Sequence, residues 1–329
     1  MNPSMATPFD RRLSAAALLP LLALAPACGG KSDRPRKPLV AFSQCTTAEP
    51  WRVLFNRELK REAEKHRDVF ELLVADAGDR TDRQVEQIES FIRQKVDVLL
   101  VSPKESPGLT PVVERAIDAG IPVLVLDRNV ASSRTTAFIG GDNREIGRSA
   151  GRFAVEHLGG AGKARGNVVE IWGGMASTPA QERHLGFREF VGKEPGIRIL
   201  LDNQDGDWKQ DRGYSIMETA LKAFEKIDLV YAHNDPMAYG ASLAAKDAGR
   251  EKEIAFVGID AIPEEGGVWV KKGYLTATFV YATPGAEAIR QAVGILRGEE
   301  VPKLTTLPTR PVTRENVDAY LAEAGVKDD

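Results

Sequence analysis

The sequence alternates short apolar segments with amphipathic segments, and this alternation limits the possible folds more than any other feature. In RQVEQIESFIRQ, for example, Val85, Ile88, Phe91 and Ile92 fall on one helical face. Near-continuous runs of valine, leucine and isoleucine indicate strands buried on both faces, and their alternation with helices indicates a parallel sheet. The first series of predicted strands covers residues 38–44, 69–76, 96–103 and 121–128.

A second series with the same pattern follows, and two series predict two similar α/β lobes rather than one wide sheet. We place the joint near AFIGGDNREIG, where Gly140 and Gly141 offer a flexible crossing and Asp142 or Asn143 a helix cap. No sequence rule assigns a late predicted helix, residues 284–298, to either lobe. The second series has predicted strands at 167–173, 197–202, 228–235, 253–260 and 275–281, with helices near 179–193, 211–226, 236–248 and 264–272.

The N-terminus has the pattern of an export signal. Arg11 and Arg12 precede the apolar run LSAAALLPLLALAPA, which ends at Cys28 and is too short for a transmembrane helix. The residues Ala-Pro-Ala-Cys resemble the lipobox of bacterial lipoproteins. We therefore expect a signal peptide over residues 1–27, a lipid on Cys28 and a flexible tether over residues 28–37, with plain secretion as the alternative.

Charge and cysteine content exclude several classes of protein. The formal net charge of −3 gives no reason to expect nucleic acid or an anionic membrane surface as a partner. If Cys28 carries a lipid, Cys45 alone remains, and one cysteine forms no intrachain disulfide. The apolar core must then hold the fold, and a chain of this length can supply one.

Polar side chains stand where the predicted strands end. Ligands of open parallel sheets bind beyond the carboxyl ends of the strands, so this edge is the expected site. The alternative is that these residues form turns, which accounts for Asp76 and Ser102 but less well for the pair Asp127 and Arg128, because arginine has no turn preference. The polar residues are Gln44, Asp76, Ser102, Asp127, Arg128, Asn234, Asp235 and Asp260.

These side chains have the chemistry to hold a ring that carries hydroxyl groups. Aspartate, asparagine and arginine are planar groups that each make paired hydrogen bonds. We expect Asp235 to cap the helix that starts at Pro236, which leaves Asn234 free to face a cleft. Trp51 and Trp208 are candidates for packing against the C–H face of a sugar ring, with simple core packing as the alternative.

The sequence carries no strong enzyme, metal or cofactor signature. The segment DNQDGD (202–207) departs from a calcium loop, and the four histidines lack metal-ligand spacing. His233 is expected to face the opposite side of its strand from Asn234. Arg128, Arg183 and Asn234 accompany the candidate carboxylates, which should therefore remain ionised acceptors. We expect no catalytic residue, no metal and no cofactor.

Several motifs together resemble the periplasmic sugar-binding proteins of ABC importers, in their ribose and galactofuranose branch. They are FSQCTTAEPWR, LVLDRNV, GGDNREIG, PAQERHLGF, GDWKQDRG, VYAHNDPMAYGA, VGIDAIP and ATFVYATP. The resemblance implies a type I periplasmic-binding-protein fold, with two Rossmann-like lobes, each a parallel sheet flanked by helices, joined by a three-stranded hinge. It places residues 38–141 and about 283–311 in an N-terminal lobe, and residues 142–282 and about 312–329 in a C-terminal lobe.

The resemblance also implies a function and a set of sugar-binding residues. A monomeric periplasmic protein would capture a monosaccharide and deliver it to an ABC permease, with a sugar sensor or a glycoside-acting enzyme as alternatives. Tyr281 and Glu49 depart from the pattern of the family, so the sugar is not identified. The positions that match sugar-binding positions are Gln44, Trp51, Arg52, Asp127, Arg128, Asp142, Arg183, Trp208, Asn234, Asp260 and Tyr281.

Overall fold

A computed structural model describes residues 36–326 of the chain. The predicted signal peptide, the lipid site Cys28 and all but the last residues of the tether lie outside the described residues. Among the residues that are described, no helix is both long enough and apolar enough to cross a membrane.

The first of two sheets is built mainly from the N-terminal part of the chain. Its six strands are β1 (Leu39–Gln44), β2 (Glu71–Asp76), β3 (Val98–Ser102), β4 (Val123–Leu126), β5 (Ala137–Gly141) and β11 (Leu304–Leu307). They lie in the order β11-β5-β4-β3-β1-β2, and every pair is parallel. Strands β1, β3 and β4 are almost entirely buried, as predicted, whereas β2 is an edge strand that remains partly exposed.

The second sheet repeats this arrangement. Its strands are β6 (Arg165–Trp172), β7 (Gly196–Asp205), β8 (Leu229–Ala232), β9 (Ala255–Val257), β10 (Ala277–Phe279) and β12 (Pro311–Thr313). Their order is β12-β10-β9-β8-β6-β7. All pairs are parallel except β10 with β12, which is antiparallel. The predicted fold class, two parallel-sheet α/β lobes with flanking helices, is thereby confirmed.

Ten α-helices cover the sheets in the described part of the chain, and one π-helical turn (Pro263–Gly267) precedes the eighth. The helix α1 packs against α9, α2 against α3, α4 against α5, and α6 against α7. The late predicted helix, α9, thus contacts the first lobe. The helices are α1 (Pro50–Glu64), α2 (Thr81–Gln94), α3 (Ser106–Asp118), α4 (Asn143–His157), α5 (Thr178–Val191), α6 (Gln210–Ala223), α7 (Asp235–Asp247), α8 (Val268–Lys271), α9 (Gly285–Leu296) and α10 (Val317–Glu323).

The helices α4 and α5 approach each other unusually closely, and glycines make this possible. A Cβ atom on Gly147 would lie 2.3 Å from the backbone oxygen of Arg183, and one on Gly186 would lie 2.1 Å from that of Arg144. Neither position has room for a side chain, because backbone would have to move. The contact fixes the helix that carries Arg183, a candidate site residue.

The chain passes between the two sheets three times. It leaves the first sheet after β5, returns to it after β10 as α9 and β11, and leaves it again for β12. The sequence analysis placed the joint near AFIGGDNREIG; AFIGG forms β5, the fifth strand of the first sheet along the chain, and the chain leaves this sheet directly after it. It also missed β11 and β12, which are only four and three residues long.

Candidate functional site

The carboxyl ends of both sheets face one shared cavity, whose empty volume, open solvent included, is about 380 Å³. Nine of the eleven predicted site residues line it: Trp51, Arg52, Asp127, Arg128, Arg183, Trp208, Asn234, Asp260 and Tyr281. The side chains come from both lobes. The cavity therefore brings together residues as far apart in sequence as Trp51 and Tyr281, which are separated by 230 positions.

The wall formed by the first lobe is built around a buried ion pair. A guanidinium nitrogen of Arg52 lies 2.5 Å from a carboxylate oxygen of Asp127, and each side chain is only 3% exposed. Arg52 also donates to the hydroxyl of Ser102 over 2.8 Å. Burial raises the pKa of Asp127, but the charges of Arg52 and Arg128 and a hydrogen bond from Tyr281 outweigh it, so this pKa lies below its ordinary value. Asp127 is an ionised acceptor, as expected.

Tyr281 closes the cavity where the chain crosses back from the second lobe. Its hydroxyl donates to Asp127 over 2.6 Å and accepts from the side-chain amide of Asn143 over 3.2 Å. Trp51 stacks on its ring, with centroids 5.0 Å apart, and the indole N–H donates to the Tyr281 carbonyl over 2.7 Å. Trp51 lies in the first turn of α1 and is buried.

Aromatic rings and guanidinium groups alternate along the cavity wall. Arg183 lies 4.4 Å above the ring of Tyr281 and 5.4 Å above that of Trp208, and Arg128 lies 5.5 Å above Trp208. Such cation–π contacts are strongest when desolvated. Because Arg128 belongs to the first lobe and Trp208 to the second, their contact joins the two lobes at the cavity.

Asn234 makes more protein contacts than the sequence interpretation allowed. It is the N-cap of α7: its side-chain oxygen accepts from the backbone N–H of Met237 over 3.1 Å, and its amide donates to the Trp208 carbonyl over 3.0 Å. The prediction that Asp235 is the cap was wrong. Asp235 turns away and accepts from the backbone N–H of Ala261 over 2.7 Å, a partner far along the chain. Asn234 still lines the cavity and keeps a second amide hydrogen for a ligand.

Asp260 is the cavity carboxyl with the least support from the protein. It is 8% exposed, and no hydrogen bond to its side chain is found within residues 36–326. Its φ of +130° is a backbone conformation that residues other than glycine rarely adopt, and such strain is common at binding sites. Burial raises its pKa well above the ordinary value, Asp235 adds to this, and Arg183 opposes it. The expectation that no cleft carboxyl has a raised pKa was therefore wrong.

Asp235 should make the stability of the folded protein depend on pH. Burial raises its pKa from 3.8 to about 7, so the folded state holds a proton that the unfolded chain releases at lower pH. This contribution to stability is fully present below pH 3.8 and is lost as the pH rises through about 7. We expect Asp235→Asn to reduce the fall in melting temperature between pH 5 and pH 8. Parallel pH profiles of the two proteins would contradict this assignment.

Two predicted site residues do not line the cavity. Gln44 lies beneath it and accepts from Arg52 over 3.4 Å, and Asp142 caps α4 by accepting from the N–H of Glu145 over 2.9 Å. His233 faces away from the cavity, as expected, and its ring lies 3.2 Å from the buried carboxylate of Glu170.

Four further residues line the cavity without having been predicted: Glu49, Pro50, Pro179 and Pro236. The three prolines stand in the first turns of α1, α5 and α7, so three helices begin at the cavity. Proline after a polar residue is a helix-start signal that could have identified these positions. Within the described range, no group of three or more histidine, cysteine, aspartate or glutamate side chains is arranged to hold a metal ion.

Comparison with known proteins identifies relatives along most of the chain. The galactofuranose-binding protein YtfQ of Escherichia coli K12 is 34% identical over 68% of this chain and 71% of its own length. The ribose import binding protein RbsB of Bacillus subtilis is 28% identical over 84% of this chain and 87% of its own length.

Solved structures have the same fold. The fructose-binding periplasmic domain of a hybrid two-component system superposes with a TM-score of 0.83 at 40% identity, covering 88% of this chain and 94% of that domain. A galactofuranose-binding protein gives a TM-score of 0.79 at 30% identity, covering 87% and 98%. Residues 40–300 match the periplasmic binding protein domain model. These findings confirm the resemblance seen in the sequence: the chain is a member of the periplasmic binding protein domain family.

Proposed function

We propose that this protein captures a monosaccharide between its two lobes outside the cytoplasm and delivers it to an ABC transporter permease. The observation that carries the proposal is the cavity itself, where Arg128 of one lobe meets Asn234 and Asp260 of the other. A ligand that bridges both sets of groups binds the closed state better than the open state. It therefore shifts the population toward closure.

The charges of the cavity favour an uncharged polyol. Three guanidinium groups face three carboxyls, so the formal charges balance: Arg52, Arg128 and Arg183 against Glu49, Asp127 and Asp260. Asp260 is the member of this set whose pKa burial raises well above the ordinary value. The relatives support a sugar, since they include proteins that bind galactofuranose, ribose and fructose.

A ligand screen tests this function. We expect a neutral furanose or pyranose to raise the melting temperature in proportion to the logarithm of its concentration. The panel holds D-fructose, D-ribose, D-galactose, L-arabinose, myo-inositol and xylitol, with D-galacturonate as a charged competitor. A rise in melting temperature with galacturonate alone would indicate an acidic ligand in place of the proposed neutral one. No shift with any member of the panel would contradict the sugar-binding function.

A sensor is the second candidate, and the 40% identity to the periplasmic domain of a two-component system favours it. Uptake of the labelled sugar in cells with and without the gene separates the two. A binding protein for import makes uptake depend on its presence. A sensor leaves uptake by other routes intact and instead changes sugar-dependent transcription.

We further propose that residues 1–27 are a signal peptide and that Cys28 carries a lipid anchor on a monomer without enzymatic activity. We also propose that one lobe comprises residues 38–141 with about 283–311, and the other residues 142–282 with about 312–329. The basic start, the apolar run and the lipobox-like residues support export and anchoring. Membrane fractionation of Cys28→Ser tests the anchor: release of the variant into the soluble fraction is expected, and retention in the membrane would contradict it.

A further inference from the structure

Four charged side chains that do not line the cavity meet beside its residues Arg128 and Trp208. Asp79 and Lys104 stand in the loops after β2 and β3 of the first lobe, and Asp207 and Lys209 stand in the loop after β7 of the second. We call these four residues the mouth cluster.

In the mouth cluster, each lysine lies near one aspartate of its own lobe and one aspartate of the other lobe. Within the first lobe, Lys104 lies 2.6 Å from Asp79, and within the second, Lys209 lies 2.6 Å from Asp207. Across the cleft, Lys104 lies 3.6 Å from Asp207 and Lys209 lies 3.8 Å from Asp79. Each lobe thus presents one neutral pair, and the two pairs face each other with opposite orientation.

The mouth cluster is continuous with the cavity wall. The backbone oxygen of Lys104 accepts from the guanidinium of Arg128 over 3.1 Å, and Asp207 directly precedes Trp208. Arg128 and Trp208 form the cation–π contact that joins the lobes. The side chains of Lys104 and Asp207 are 16% and 24% exposed, so solvent screens their attraction less than that of a surface pair. A displacement of the cluster would move both cavity residues.

We propose that the mouth cluster is an electrostatic latch that positions Arg128 and Trp208 and sets the ratio of closed to open protein. When the lobes separate, each lysine keeps its partner on its own lobe, and opening therefore leaves no charge unpaired. The latch favours closure by the two contacts across the cleft alone. This inference rests on the proposed function only where it concerns closure around a sugar.

Charge swaps that keep each pair neutral test the latch. Asp79→Lys with Lys104→Glu reverses the pair of the first lobe, and Asp207→Lys with Lys209→Glu reverses that of the second. Either swap alone places two carboxylates and two ammonium groups against each other across the cleft. Both swaps together restore the attraction. Because the fourfold variant carries all the substitutions, recovery in it cannot come from the backbone or from side-chain size.

The readout is the ratio of closed to open protein by small-angle X-ray scattering, at low and high salt, without sugar and with D-fructose as the probe. We expect either single-lobe swap to lower this ratio about tenfold at low salt, less at high salt, and the fourfold variant to return to within about threefold of the original. Unchanged ratios in the single-lobe swaps, or no recovery in the fourfold variant, would overturn the latch. The scattering measurement without sugar tests the latch even if the ligand screen identifies no sugar.

Discussion

Replacing Asp127 by alanine should lower the free energy of unfolding by about 3–5 kcal/mol, the usual effect of removing one partner from a buried ion pair. The Arg52 guanidinium would be left almost fully buried, since its side chain is 3% exposed and its nearest carboxylate would be gone. The hydroxyl of Tyr281 would lose its acceptor as well. Denaturant titration of the sugar-free protein measures the effect without a contribution from binding.

An exposed ion pair provides the matched control. Glu89→Ala removes a carboxylate that lies 2.7 Å from Arg115, in side chains that are 42% and 51% exposed. Such pairs contribute roughly 0–1 kcal/mol, so this variant should unfold close to the original protein. If Asp127→Ala were no less stable than Glu89→Ala, the Arg52–Asp127 pair would have no structural importance.

Replacing Asp260 by alanine should weaken sugar binding by about 2–5 kcal/mol, because ligand hydroxyls would lose their partner and remain desolvated. The Asp260 carboxyl lines the cavity and has no hydrogen bond among the described residues, and a ligand is therefore its natural partner. Isothermal titration calorimetry with the sugar from the ligand screen measures the loss. The variant would contradict the assignment if it bound that sugar with the original affinity.

The stability of the sugar-free variant separates a loss of sugar affinity from a folding defect. A buried carboxyl without a partner destabilises the free protein, so its removal should leave the sugar-free melting temperature unchanged or raised. Asp260→Asn is the conservative control, because it keeps the size of the group, one acceptor and a donor. If the bound carboxyl is protonated, the asparagine variant should retain most of the affinity at neutral pH. A large loss in that variant would indicate an ionised Asp260 in the complex.

The architecture was predictable because apolar runs and helical periodicity are local signals. The exceptions are short or glycine-rich. AFIGG contains two glycines and was not predicted as a strand, and LTTL and PVT have too few residues for a periodic pattern. Each becomes a strand because neighbouring strands supply its hydrogen bonds. The identity of those neighbours depends on how the chain returns between the lobes.

The cavity residues were predictable where they directly follow a strand. They were less predictable where contacts with distant parts of the chain determine the partner or the burial of a side chain. Local capping rules favoured Asp235, but its carboxylate meets the backbone N–H of Ala261, twenty-six positions along the chain. Likewise, no local pattern indicates that Asp260 is buried. Burial raises the pKa of Asp260, and the charge of Asp235 raises it further. Gln44 ends a strand like its neighbours, yet Arg52 covers it.

The three passages of the chain between the sheets have a practical consequence for dissecting this molecule. Because α9 and β11 return to the first lobe after the second lobe has been built, neither lobe is a continuous segment. Shortening the chain from its C-terminal side would thus remove material from both lobes, first β12 of the second and then β11 of the first. An isolated lobe would have to be made by joining two distant pieces with a new linker, and a protease cut in any one passage would leave the halves covalently tethered.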